Sequence, residues 1–314
     1  MKPIFDEFKD DYPVLICDSP TYLSWFKPDV IFVANSQAKR LRDIFPSAMF
    51  IYTRHGLISK NFAYDAARTC DYVCMPSEDI RQQYIEEGGF SSRQLWVTGY
   101  SQMDPLFNGN PLRHSLVLSE GAARVLYAPT FTDGISSVPE MTPLIESGKL
   151  DQGREFVIKP HPLSFRTQKV FMARLKEYAN SRENVHFVDN PGEDVTPYLQ
   201  LADVLISDAS SVMFEYLALD RPVIAINNPQ RFDSPRYDVD GIEWRWRNMT
   251  HEVDVIEELP NVLDQCLRNP QEKQEIRAKY AQRLFGTRTE GRTGFYIRKE
   301  VEALLARRGG HHAG

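Results

Sequence analysis

The residues most suited to chemistry lie where one apolar run ends and a helical pattern begins. Asp208, Ser210 and Ser211 follow the run Val204–Ser207 and precede that helix. Backbone N–H groups are free at the start of a helix and attract anions, so two hydroxyls at this point predict a phosphate site. Glu215, one turn further on, is a candidate ligand for a ribose hydroxyl. The alternatives are that a serine only caps the helix and that Glu215 only complements the helix dipole.

A second motif, Lys159-Pro-His-Pro162, follows the apolar residues 156–158. The prolines on both sides of His161 restrict the backbone and would hold the imidazole in a fixed direction. Lys159 and His161 can neutralise a diphosphate and form hydrogen bonds with it. A proline-rich turn without a ligand is the alternative.

Two further motifs also follow apolar runs. His55, in Thr53-Arg-His-Gly56, precedes a glycine that leaves the imidazole little obstructed, and it is the candidate general base. The alternative is a turn histidine without a catalytic role. Thr130, in Tyr127-Ala-Pro-Thr130, offers a hydroxyl to the same ligand, although a tight turn explains this motif equally well.

An alternating aromatic and basic strip, Trp244-Arg-Trp-Arg247, is suited to stacking on a base or contacting an acceptor. A partly buried edge segment explains the strip at least as well.

The motifs need strands to position them, and short apolar, β-branched runs recur between helical patterns in both halves of the 314-residue chain. The runs are residues 14–17, 29–33, 49–53, 72–75, 95–98, 125–128, 156–159, 185–188, 204–207 and 223–226. This spacing predicts an α/β protein with two doubly wound Rossmann-type domains that face a cleft. We expect residues 1–112 to form the acceptor-side domain. Residues 113–314 would form the nucleotide-donor domain, with C-terminal helices packing back.

The composition and net charge of the chain restrict the binding partners and the cellular compartment that we expect. A net charge of -6 and a pI near 5.7 provide no basic field for nucleic acid. The four cysteines contain no CxxC pair, which argues against a disulfide framework or a zinc site and fits a reducing cytoplasm. The sequence opens without a signal-peptide pattern, and no apolar stretch reaches the length of a membrane span. We therefore expect a cytoplasmic protein whose membrane contact, at the inner face, is peripheral.

Four motifs together resemble the CDP-glycerol glycerophosphotransferase family, the polyol-phosphate transferases of teichoic-acid and capsule synthesis. They are Arg54-His-Gly56, Tyr127-Ala-Pro-Thr130, Lys159-Pro-His-Pro162 and the stretch from Ser207 to Val223. The resemblance spans roughly residues 50–226. It implies a GT-B fold, with His55 as the base and with His161, Ser210, Ser211 and Glu215 binding the donor.

The expected function is transfer of glycerol phosphate or ribitol phosphate from a CDP-activated donor to a hydroxyl of a glycan or polyol-phosphate acceptor, with release of CMP. The expected catalytic residues are His55 and His161. A lipid-linked acceptor fits this reaction. We expect no bound cofactor, although a magnesium ion from solution is compatible with the chemistry. The alternatives are a GT-B glycosyltransferase, a nucleotide-sugar epimerase and a non-catalytic nucleotide-binding module.

Overall fold

The computed structural model describes residues 1–17, 25–53 and 60–309, and the chain divides into two compact units. Unit 1 comprises Met1–Gly109 and Ala281–Gly314, and unit 2 comprises Asn110–Tyr280. The expected boundary lay after residue 112. In the structure the chain divides after Gly109, and its last segment groups with unit 1.

Unit 1 is built on a parallel sheet with the strand order β1-β2-β3-β4. The strands are β1 (Val30–Val33), β2 (Met49–Tyr52), β3 (Tyr72–Met75) and β4 (Leu95–Val97). The helices are α1 (Lys2–Phe8), α2 (Ala38–Ile44), α3 (Lys60–Arg68), α4 (Glu78–Glu86), α5 (Asp104–Phe107) and α14 (Thr293–Gly309). Side chains from α1, α14 and three strands form one core cluster, which fixes the last helix to the first.

The strand predicted at residues 14–17 is wrong. These residues form no strand, and the side chains of Leu15 and Ile16 are 57% and 54% exposed. A strand needs a neighbour for its backbone hydrogen bonds, and no described strand pairs with this segment. Its apolar composition alone therefore did not decide its structure.

Unit 2 contains a six-stranded parallel sheet with the order β10-β9-β8-β5-β6-β7. The strands are β5 (Ala123–Tyr127), β6 (Arg154–Ile158), β7 (Val185–Phe187), β8 (Val204–Ser207), β9 (Val223–Ile226) and β10 (His251–Val253). The helices are α6 (Val138–Glu146), α7 (Ser164–Thr167), α8 (Lys169–Asn180), α9 (Thr196–Leu201), α10 (Val212–Glu215), α11 (Ile242–Arg245), α12 (Leu259–Arg268) and α13 (Gln274–Phe285). Helix α13 crosses the boundary between the units.

The strand order of unit 2 creates a switch point between β5 and β8. Counted within the unit, its strands have the order 6-5-4-1-2-3, the doubly wound Rossmann arrangement. Strands β8 and β9 are buried along their whole length, which explains their continuous apolar sequences. Because all six strands are parallel, the loops that follow them lie at one edge of the sheet. Ligands of such sheets bind at this edge, beside the switch point.

Candidate functional site

The loop after β8 begins the short helix α10 at Ser211. Ser211 has φ -57° and ψ -24°, and its side chain makes no capping hydrogen bond. The carbonyl oxygens of Ser210 and Ser211 accept the first helical N–H groups, from Met213, Phe214 and Glu215. The serine side chains are therefore not used as caps.

This loop offers several hydrogen-bond donors. Within the described part of the chain, the N–H groups of Ser210, Ser211 and Val212 have no acceptor, and the two serine hydroxyls have no partner. All three residues are half-buried. Five donors in three consecutive residues suit an anion with several oxygens. Because α10 has only four residues, its dipole contributes little, and the anion would depend on direct hydrogen bonds.

Asp208 is fully buried and turned toward the loop after β5. Its Oδ1 accepts the N–H groups of Thr130 and Ala209, both at 2.8 Å, and its Oδ2 accepts the N–H and hydroxyl of Ser137, both at 2.9 Å. Burial raises the pKa of Asp208, and the hydrogen bonds from Ser137 and Thr130 oppose that rise. The sequence predicted a donor-binding carboxylate. In this geometry the carboxylate joins two loops at the switch point, and its predicted contact with the donor stays a prediction.

The loop after β5 is held from several sides. The Thr130 carbonyl accepts the Ser136 hydroxyl at 2.8 Å, and the Asn228 side-chain amide donates to the Ser136 carbonyl at 2.8 Å. Gln168 also donates to the Ser136 hydroxyl, at 3.0 Å. Thr130 is 8% exposed, and its own hydroxyl has no partner among the described residues. This network exceeds what a tight turn needs, and it presents the Thr130 hydroxyl from a fixed backbone.

Lys159 follows β6, and its backbone N–H donates to the Tyr127 carbonyl at 2.9 Å. The residue is only 5% exposed. Burial lowers the pKa of Lys159, while the charges of Glu193 and Asp194 act in the opposite direction. Across the described residues, its ammonium group has no hydrogen-bond acceptor and no ion pair. A buried cation of this kind gains a partner when an anion binds beside it.

Contacts with two described residues orient the imidazole of His161. Its Nδ1 accepts the Leu163 N–H at 3.1 Å, and its ring lies 4.4 Å from the Phe131 ring, centroid to centroid. Because Nδ1 acts as an acceptor, the neutral ring carries its proton on Nε2. These contacts give the predicted fixed direction of this side chain a structural basis, and its role in binding a ligand stays a prediction.

Glu215 ends α10 and is 1% exposed. Its neighbours Met213 and Phe214 are 1% and 2% exposed, so most of this short helix is buried. The role predicted for Glu215, binding a ribose hydroxyl, stays a prediction. His55, the candidate general base, lies outside the described residues.

The residues of the strip from Trp244 to Arg247 lie in different environments, some buried and one exposed. Trp246 is 3% exposed and stacks on Tyr280 with the ring centroids 4.5 Å apart, so it is not available to a ligand base. Arg245 is exposed, whereas Arg247 is buried and contacts the loop after β8. No pattern in the sequence indicates this role of Arg247, because its hydrogen bonds within 3.5 Å go to backbone carbonyls and one asparagine.

The described residues contain no group of three or more His, Cys, Asp or Glu side chains arranged to hold a metal ion. They also contain no helix of sufficient length and apolar character to cross a membrane.

Comparison with known proteins identifies a matching protein family and a curated relative. The family described as CDP-Glycerol:Poly(glycerophosphate) glycerophosphotransferase matches residues 22–297. A teichoic acid glycerol-phosphate primase of Bacillus subtilis (strain 168) is 27% identical over 161 residues, which are 49% of this chain and 39% of that relative. This chain therefore matches less than half the length of its curated relative.

Two solved structures show a similar fold. A variant of the wall teichoic acid polymerase TagF soaked with CDPG has a TM-score of 0.62 at 16% identity, covering 83% of this chain and 69% of that chain. A UDP-GlcNAc 2-epimerase from Neisseria meningitidis has a TM-score of 0.52 at 17% identity, covering 90% of this chain and 78% of that chain. With the two parallel sheets, these similarities confirm the predicted α/β, GT-B-like fold class.

Proposed function

This chain belongs to the CDP-glycerol:poly(glycerophosphate) glycerophosphotransferase family, and on that premise we propose that it transfers a polyol phosphate from a CDP-activated donor to an acceptor hydroxyl, releasing CMP. The observation that carries the proposal is the set of five free donors on Ser210, Ser211 and Val212. They lie at the switch-point edge of unit 2, at the same edge as Lys159 and His161. Such an edge is suited to a nucleoside diphosphate.

The donor would be a CDP-polyol carrying glycerol phosphate or ribitol phosphate. Family membership and the CDPG-soaked TagF structure support this choice. The acceptor would be a hydroxyl-bearing glycan or polyol phosphate, because the curated relative is named as a primase of teichoic acid synthesis. A lipid-linked acceptor would bring the reaction to the inner face of the membrane.

The proposed reaction forms one P–O bond and breaks another. The acceptor hydroxyl gives its proton to His55, and its oxygen attacks the donor phosphorus that carries the polyol. The bond from that phosphorus to the bridging oxygen breaks, and CMP leaves with the electron pair. Lys159, His161 Nε2–H, Thr130 and the donors of Ser210 and Ser211 would offset the charge on the phosphoryl and leaving oxygens. A solvent magnesium ion would be compatible with these contacts.

The test is a mass-spectrometric assay with CDP-glycerol, CDP-ribitol and UDP-sugars, each with a glycerol-phosphate-terminated acceptor. We expect CMP release together with an acceptor that is heavier by one polyol phosphate. Transfer of a sugar alone would identify a glycosyltransferase. Interconversion of a nucleotide-sugar without an acceptor would identify an epimerase, and donor binding without any product would identify a binding module.

Replacing Lys159 by methionine should lower transfer by about 10²-fold and at the same time raise the melting temperature. The loss is expected because the variant lacks a cation for the diphosphate. The gain in stability is expected because an unpaired ammonium group with a lowered pKa is costly to bury. The measurements are initial rates of CMP release and thermal denaturation.

The stability difference has a defined pH dependence. The folded-state pKa of Lys159 lies below the reference value of 10.5, so the cost of burying the charge is fully present at neutral pH. It is relieved as pH rises through the lowered pKa toward 10.5, and the gap between the two proteins should then close. Lys149→Met, at an exposed site in the same unit, is the control. A lower melting temperature for Lys159→Met would contradict this account.

A further inference from the structure

Arg247 is a buried cation that joins the ends of two neighbouring strands. It is 5% exposed. Its Nη1 donates to the carbonyl of Asp208, which follows β8, and its Nη2 donates to the carbonyl of Ile226, the last residue of β9, at 2.9 Å. Both Nε and Nη2 donate to Oδ1 of Asn227, at 3.1 and 2.6 Å. One guanidinium thus fixes the backbone where the phosphate-binding loop, residues 208–212, begins.

The charge of Arg247 is only partly balanced, because the carboxylates of Glu252, Asp208 and Asp254 act on it but none of them accepts a hydrogen bond from it among the described residues. Its hydrogen-bond acceptors are neutral oxygens, and the nearest carboxylate, Glu252, has its Oε2 3.8 Å from Nε and is 43% exposed. Burial lowers the pKa of Arg247 to about 10, so the group remains a cation at neutral pH. Two effects on a phosphate follow. The Asp208 carbonyl, an acceptor that would repel an anion, is occupied, and a positive charge lies directly behind the loop.

We propose that Arg247 is a positioning residue that orients the phosphate-binding loop and supports the bound diphosphate from behind without touching it. The inference rests on the proposed function, since it assumes that the loop binds phosphates. If Arg247 only stabilised the fold, its replacement would weaken the binding of ligands with phosphates and of ligands without them to the same extent.

The experiment compares CDP with cytidine as probes, using titration calorimetry for CDP and saturation-transfer NMR for cytidine. In Arg247→Gln we expect CDP affinity to fall about 10-fold, because an ionic contribution is lost, while cytidine affinity stays unchanged. Arg247→Lys should recover part of the loss, since it keeps the charge but not the forked geometry. The matched control is Arg245→Gln, at an exposed site on the same segment, and it should bind both ligands as the wild type does.

Three outcomes would overturn the inference. The first is unchanged CDP affinity in both Arg247 variants. The second is an equal loss of CDP and cytidine affinity with a lowered melting temperature, which would show a folding role alone. The third is a wild-type protein that binds cytidine as tightly as CDP, and this result would also remove the phosphate site on which the proposed function depends. If Arg247→Gln does not fold, the Arg247→Lys comparison alone decides.

Discussion

Replacing His55 by alanine should reduce transfer by about 10²–10⁴-fold and leave the affinity for the CDP-polyol unchanged, because a general base acts on the acceptor and not on donor binding. The prediction rests on the sequence around this histidine. Thr53, the last described residue before it, lies directly after β2, where the Thr53 N–H donates to the Val33 carbonyl at 2.8 Å. The chain thus leaves the carboxyl end of a parallel sheet two residues before His55.

The pH profile separates a base from a structural histidine. For the wild type, the rate should fall on the acid side as the imidazole of the base becomes protonated, since only the neutral imidazole accepts a proton. The residual rate of His55→Ala should lack that limb. The control is His114→Ala, at an exposed histidine, which should retain the wild-type rate and profile. Full activity in His55→Ala, with the fold intact, would exclude this base.

The elements of unit 2 were largely predictable because its central strands are mostly buried on both faces. The runs at residues 204–207 and 223–226 coincide with β8 and β9. Strand β10, with the sequence His251-Glu-Val253, was missed because an edge strand of three residues with one exposed position carries no apolar run. The strand predicted at residues 14–17 failed for the opposite reason, since its apolar run lacks a neighbouring strand.

The positions of the candidate site residues were predictable where they follow directly from the ends of strands. Ser210, Ser211, Lys159 and His161 all follow strand ends, and parallel strands bring their ends to one edge. The direction of a side chain was not predictable. Asp208 has the same sequence context whether its carboxylate faces a ligand or the loop after β5, and only the four donors around it decide. The role of Arg247 could not be predicted from the sequence, because backbone carbonyl partners do not depend on residue type.

Replacing Asp208 by alanine should lower the free energy of unfolding by about 4 kcal/mol, because four buried hydrogen bonds lose a common acceptor. Removing a buried charge offsets part of this loss, since burial raises the pKa of Asp208. Asp208→Asn keeps one acceptor oxygen and should lose about half as much. Urea titration measures each change.

Replacing Asp208 should also lower the affinity for CDP. In Asp208→Ala the N–H groups of Thr130 and Ser137 both lose their acceptor, and in Asp208→Asn one of them does, so the loop after β5 can move away from the loop after β8. CDP affinity should therefore fall in Asp208→Asn even where the protein is fully folded. The control is Asp203→Ala at the other end of β8, where an exposed carboxylate accepts only the Arg124 N–H at 2.8 Å, and it should cost about 1 kcal/mol with CDP affinity unchanged. Equal losses of stability in Asp208→Ala and Asp203→Ala would mean that water replaces the buried carboxylate, and that Asp208 does not hold the two loops together.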